Sequence, residues 1–149
     1  MSYARDTSVP VERSRAEIEA ILTRYGANSF GYLTEPHQAT IAFKAHGKTV
    51  RFYLPIPNID DYSKNKAGGK MSPSAKVAAH AQATRSRWRS LALCIKAKLE
   101  AVECGIAQFE EEFLANIVLP NGQTVGQHSL PAIEAMVSSG KMSSLRLTE

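Results

Sequence analysis

The stretch ATRSRWRSLALCIKAKLEAVECGIAQFEEEFLANI, residues 83–117, decides the fold. Its apolar side chains are Trp88, Leu91, Ile95, Leu99, Val102, Ile106, Phe109, Phe113 and Ile117, separated only by steps of three and four. That spacing keeps an apolar stripe on one side of an α-helix, so one long helix is expected over Ala83–Ile117. The alanine-rich residues 75–83 can form a first helical segment leading into it. A helix of this order spans about 45 Å, more than a small sheet covers. Part of the stripe must then meet a terminal helix or a second copy of the chain, so a homo-oligomer and intramolecular packing both stand as expectations.

Charge is ordered along the same stretch. Arg85, Arg87, Arg89, Lys96 and Lys98 lie in its first half; Glu100, Glu103, Glu110, Glu111 and Glu112 lie in its second. In one continuous helix this order opposes the macrodipole, which favours acids at the start and bases at the end. An anionic partner would explain the basic start. Arginine forks suit phosphate, and an indole beside them can stack on a base. Arg85, Arg87, Trp88, Arg89 and Lys96 are therefore the candidate nucleic-acid contacts. Trp88 also opens the apolar stripe and reads equally as core, and the arginines can instead pair with acids such as Asp60, Asp61 or Glu103.

Upstream, Ser14 and Glu17 have capping-box spacing, and Ile18, Ile21, Leu22 and Tyr25 form a stripe closed by Gly26. A short helix is expected over Arg15–Tyr25. The pattern then changes to period two. Residues 30–33 suit a first strand. In residues 40–45 Ile41 and Phe43 alternate with polar or small residues, as do Val50, Phe52 and Leu54 in residues 48–54. His46-Gly47 suits a hairpin tip, so an antiparallel meander with one buried face is expected. Its other face carries Lys44, Arg51 and Tyr53, a second basic and aromatic patch. Pro55 and Pro57 end the ladder.

Residues 58–74, NIDDYSKNKAGGKMSPS, hold Lys64, Lys66 and Lys70 and read as a flexible loop, either functional or a linker. Asn121-Gly122 suits a tight hairpin over 118–125, and Ser129 and Pro131 suit the start of a last helix ended by Gly140. Residues 1–13 are polar and read as loose, and the last nine residues as an exposed tail. The sum is an α+β fold in one domain, residues 1–149: a two- to three-stranded antiparallel sheet, one long amphipathic helix, short flanking helices and a small C-terminal hairpin.

Composition agrees with a globular chain, with 44% hydrophobic and 21% charged residues and a net charge of +4. Mild basicity suits a polyanion partner without demanding one. Cys94 and Cys104 lie about 15 Å apart along a helix, too far to bond within it, and read as semi-buried thiols of a reducing compartment. With no secretory pattern and no apolar run long enough to span a bilayer, the expectation is a cytoplasmic protein with no membrane partner. The chain has no Gly-x-x-x-x-Gly-Lys loop, Gly-x-Ser-x-Gly elbow or His-Glu-x-x-His pair. His37, His46, His80 and His128 lack ligand spacing, and Glu110-Glu111-Glu112 diverge by about 100° per residue on a helix. No cofactor, metal or catalytic residue is assigned, and an enzyme is a distant third reading, left open.

Arg87-Trp-Arg-Ser-Leu-Ala-Leu-Cys-Ile-Lys-Ala-Lys-Leu-Glu-Ala-Val-Glu103, Gly105-Ile-Ala-Gln-Phe-Glu-Glu-Glu-Phe-Leu114 and Leu119-Pro-Asn-Gly-Gln-Thr-Val-Gly126 resemble a group of small phage and prophage proteins of unknown function. Val9-Pro-Val-Glu-Arg-Ser-Arg-Ala-Glu17 and Val50-Arg-Phe-Tyr-Leu-Pro-Ile-Pro57 share the likeness. It implies an accessory protein working in bacterial cytoplasm and transfers no functional residue. Two functions are expected. One is nucleic-acid binding, DNA or RNA, in phage replication, recombination or regulation. The other is a protein-binding module that inhibits or redirects a host enzyme or defence complex.

Overall fold

A computed structural model describes residues 2–143. The order is α1 (Val11–Arg24), β1 (Ser29–Thr34), β2 (Gln38–Ala45), β3 (Lys48–Pro55), a 3-10 turn (Ile59–Tyr62), α2 (Pro73–Glu103), the one-turn α3 (Phe109–Glu112), a second 3-10 turn (Leu114–Asn116) and α4 (Val125–Ser139). The three strands form an antiparallel sheet in the order β1-β2-β3. This is the α+β architecture expected from the sequence.

The sheet follows the period-two pattern. Ala39, Ile41, Phe43, Val50, Phe52 and Leu54 are buried against Ile18 and Leu22 of α1 and Trp88, Leu91, Ile95 and Leu99 of α2. Burial of each large apolar side chain contributes about 1.5–3 kcal/mol. His46 (φ 52°) and Gly47 (φ 71°) both take the left-handed conformation that a two-residue hairpin demands. The far edge of β3 is covered by Ile117 and Val118, through a Val50–Ile117 bridge and a Val118 N–H to Thr49 carbonyl bond of 2.8 Å. Among the described residues the far edge of β1 pairs with no strand.

The single helix expected over Ala83–Ile117 is not formed. The helix begins at Pro73, capped by Ser72 accepting from the Ala75 N–H at 3.2 Å, and ends at Glu103. Gly105 adopts φ 73°, its N–H bonds the Val102 carbonyl, and the Ile106 N–H bonds the Ala101 carbonyl at 2.9 Å. That pair of bonds is a Schellman stop. The chain then reverses, and α3 and the following 3-10 turn carry Phe109 and Phe113 back into the core. Phe113 meets Phe43 and Phe52 edge-on, with centroids 5.7 and 6.2 Å apart. Ile106, on the turn itself, is 81% exposed. The run of threes and fours survives the break because α3 restarts in register with the lost stripe. At 31 residues α2 is displaced toward the N-terminus rather than much shortened, and its apolar side packs on the sheet and α1.

Other boundaries shift for local reasons. α1 starts at Val11 after Pro10, inside the stretch read as loose, so Ser14 is a buried helical residue rather than a cap. The Ser14 hydroxyl finds no partner among the described residues. α4 starts at Val125, capped reciprocally by Thr124 and Gln127 (3.2 and 2.9 Å), which places Pro131 within the helix instead of at its start. The turn at Asn121-Gly122 closes through one bridge, Val118–Thr124. Cys94 and Cys104 are free and exposed, not semi-buried. Of the C-terminal tail, residues 144–149 lie outside the described residues.

Ion pairs join the layers. Arg89 of α2 pairs with Glu17 of α1, Lys98 with Glu112 of α3 at 3.3 Å, and Lys48, next to the hairpin tip, with Glu110 at 3.1 Å. The Tyr25 hydroxyl donates to Glu100 at 2.9 Å, and this bond raises the tyrosine pKa above its ordinary value. Arg15 lies between two rings, 4.5 Å from the Tyr32 centroid and 4.6 Å from that of Trp88, clamping α1 to β1 and α2.

Candidate anion-binding groove

The core claims one side of α2, through Trp88, Leu91, Ala92, Ile95 and Leu99. The opposite side carries Ala79, Ala83, Ser86 and Ser90 at steps of four, three and four, a row of small side chains that lets other segments approach. Two segments use this. The N-terminal residues cross the helix, where Gln82 Nε2 donates to the carbonyls of Arg5 (3.0 Å) and Thr7 (2.9 Å), and Ala4 is buried. From the other direction comes the segment after β3. Asn58 caps its 3-10 turn, Lys76 pairs with Asp60 at 3.0 Å, and a His80 ring nitrogen lies 2.9 Å from the Pro57 carbonyl.

The lysine-bearing part of that segment folds on Asn65. Its side-chain oxygen accepts from the amides of Ala67 (3.0 Å) and Gly69 (2.8 Å), and the Asn65 amide donates to the Gly69 carbonyl at 2.8 Å. Lys64 and Lys70 bridge across the base. Gly68, at φ 85°, supplies the left-handed residue the turn needs.

Between these segments and α2 lies a groove of about 750 Å³. Its floor is the small-residue row with Pro57 and Met71; its walls carry Arg5, Lys64, Lys66, Arg87, Tyr62 and a single carboxylate, Asp6. Four cationic side chains thus face one acid. None of the four belongs to an ion pair formed among the described residues. Such an excess in a concave setting raises the local potential and attracts anions.

The candidate residues read from the sequence do not form one patch. Arg87 is exposed and lines the groove. Arg85 turns to Gln82, and Arg89 is held by Glu17 on the α1 side of the helix. Lys96 is exposed on the Arg89 side, two turns further on. Trp88 is fully buried beneath Arg15 and Tyr32, so its indole faces the core and offers no surface to a base. Lys44 is exposed on the open face of the sheet. Arg51 on that face donates to the Gly122 carbonyl and lies over the Tyr53 ring at 5.2 Å, holding the turn before α4. The macrodipole argument also loses its basis. The arginines sit more than three turns inside α2, and the dipole acts within the terminal turn.

Arg5, Lys64 and Lys66 are the groove residues that reasoning on the long helix missed. The lysine spacing in residues 64–70 was a usable signal; nothing in the sequence singles out Arg5. Among the described residues no three His, Cys, Asp or Glu side chains group as a metal site, and no helix is long and apolar enough to cross a membrane. Comparison of the chain with family models, with curated proteins and with solved structures finds no match.

Proposed function

We propose that this protein binds nucleic acid, chiefly through backbone phosphates, at the groove lined by Arg5, Lys64, Lys66 and Arg87. The observation that carries the reading is the convergence around one cavity of four cations, from three separate segments, that form no ion pair among the described residues. Phosphate contacts of this kind position a strand and carry little sequence information. The role proposed with it is that of a phage accessory protein in replication, recombination or regulation, in bacterial cytoplasm.

Anisotropy titrations with labelled oligonucleotides across a salt series test it. Each phosphate contact adds about 0.7 to 0.9 to the slope of log K against log salt. Lys64→Ala with Arg87→Ala should lower that slope by about 1.4 to 1.8. Arg89→Ala, whose partner is Glu17, should leave it unchanged. Absence of binding at low salt rejects the reading.

One observation favours a second function, a protein-binding module. α4 packs mainly on the 3-10 turn at Leu114–Asn116 and buries none of its residues. Leu130, Ile133 and Val137, at steps of three and four, stay exposed. An apolar helical face of this kind suits a protein partner, whether a host protein or a second copy. Light scattering separates those two: a 16.3 kDa particle at every concentration excludes the second copy.

A further inference from the structure

We infer that the groove takes a single strand, roughly one or two nucleotides deep, with a base stacked on Tyr62 and the flanking phosphates on Lys64, Lys66, Arg5 and Arg87. This rests on the nucleic-acid reading above and narrows it. The first argument is size. A volume of about 750 Å³ is that of a cube about 9 Å on edge, the cube root of the volume. A duplex, whose major groove alone is about 12 Å wide, does not enter such a space. One or two nucleotides match the range of drug-sized cavities, roughly 300–1,000 Å³.

The second argument is chemistry. A site for a bare phosphate surface needs cations alone. Here the cations are joined by Ala79, Ala83, Pro57 and Met71, with Ser86 and Ser90 completing the small-residue row, and by a half-buried tyrosine. A largely apolar lining, an aromatic ring and cations around it are what a single strand requires, because its bases have lost their stacking partners while its phosphates keep their charge. Tyr62 is held in place without being stacked. Its ring meets His80 at 74° with centroids 6.3 Å apart, and the 3-10 turn that carries it is pinned to α2 through the Lys76–Asp60 pair. The third argument is direction. The cations come from the N-terminal segment, the loop and the helix, so they surround a strand lying between them. A duplex would need cations presented together on one open face.

The test compares labelled oligothymidylate, oligouridylate and a hairpin duplex of matching length on the intact protein. Single strands should bind at least about tenfold more tightly than the duplex at equal salt. The thymidylate and uridylate arms separate DNA from RNA, since only the latter brings a 2′-hydroxyl. Tyr62→Ala should weaken single-strand binding roughly five- to 150-fold, the range for losing one base stack, while Tyr62→Phe keeps it. Thermal melting of both variants checks the fold. Should Tyr62→Ala unfold the loop, photocrosslinking of iodouridine oligonucleotides to the unaltered protein gives the same answer, with the adduct expected on Tyr62. Equal affinity for duplex and single strand, with Arg87→Ala weakening both, overturns the single-strand assignment and spares the nucleic-acid reading. Binding of neither overturns both. Single-strand preference with an adduct remote from Tyr62 overturns the stacking assignment.

Discussion

Truncating Phe113 tests the reversal of the chain after α2 more directly than any other change. Its ring has no exposed surface. It contacts Phe43 and Phe52 edge-on, lies 4.8 Å from Phe109, and receives the Lys98 ammonium 5.7 Å from its centroid. Phe113→Ala therefore loses the transfer term of a buried ring and leaves a cavity walled by three aromatic rings. Substitutions of this kind cost about 3–5 kcal/mol. For a chain of this size each kcal/mol lowers Tm by about 2–4 °C, so Tm should fall by roughly 6–20 °C. The matched control is Ile106→Ala. In a continuous helix Ile106 and Phe113 would share one stripe and their truncations would cost similar amounts. In the structure Ile106 is on the surface, and its loss should cost less than about 0.5 kcal/mol. Scanning calorimetry or urea unfolding of the two variants reads the difference. Equal destabilisation would refute the Gly105 reversal and restore the straight helix.

Gly105→Ala should cost about 1–2 kcal/mol, because a Cβ at φ 73° is strained although nothing lies within 4 Å of it. Gly31→Ala, in β1 with open space and no positive φ, should be neutral or slightly stabilising by the same melting assay. Removing the partly exposed Arg89–Glu17 pair by Glu17→Gln should cost no more than about 1 kcal/mol, and less at high salt. Glu110 is held below the ordinary glutamate pKa, first by a bond from its own backbone amide and then by Lys48. A depressed folded pKa gives stability that is present above the unfolded value and lost as pH falls through the folded one. The Tm gap between the parent and Glu110→Gln should thus be present at neutral pH and close on acidification; a gap that widens in acid would contradict the assignment.

The sheet was legible because its signals are local. Ile41 and Phe43, then Val50, Phe52 and Leu54, state the period within a few residues, and His46-Gly47 marks the turn between them. The end of α2 was hidden by a coincidence of register. Phe109 and Phe113 continue the spacing of Leu99 and Val102, and only Gly105 departs from the pattern. A single glycine is weak punctuation until its φ is known. The start of α4 was missed for a related reason: Ser129-Leu-Pro131 imitates a helix start, while the operative cap is the Thr124–Gln127 pair one turn earlier. The groove was barely legible. Arg5, Lys64, Lys66 and Arg87 meet only because two distant segments dock on small residues of α2, and no periodicity encodes that docking. Trp88 shows the opposite failure. Its arginine neighbours suggested a stacking site, yet the apolar spacing that placed it in the core was the stronger signal.

Core packing and the groove lining fall to adjacent residues of one turn of α2. Trp88 points to the core, and Arg87, one residue earlier, stands in the groove wall. Arg85 is engaged by Gln82 of its own helix and Arg89 by Glu17 of α1, so a change at either perturbs the fold's own contacts. Arg5, Lys64, Lys66 and Arg87 have no such obligations among the described residues. Replacing them removes charge from solvent-accessible positions, where the effect on stability is small. Variants of the four groove cations therefore test the proposed binding with the fold held constant, and Arg89→Ala reports on the α1–α2 contact. The separation follows from where each guanidinium points, although all three arginines lie within five consecutive residues of one helix.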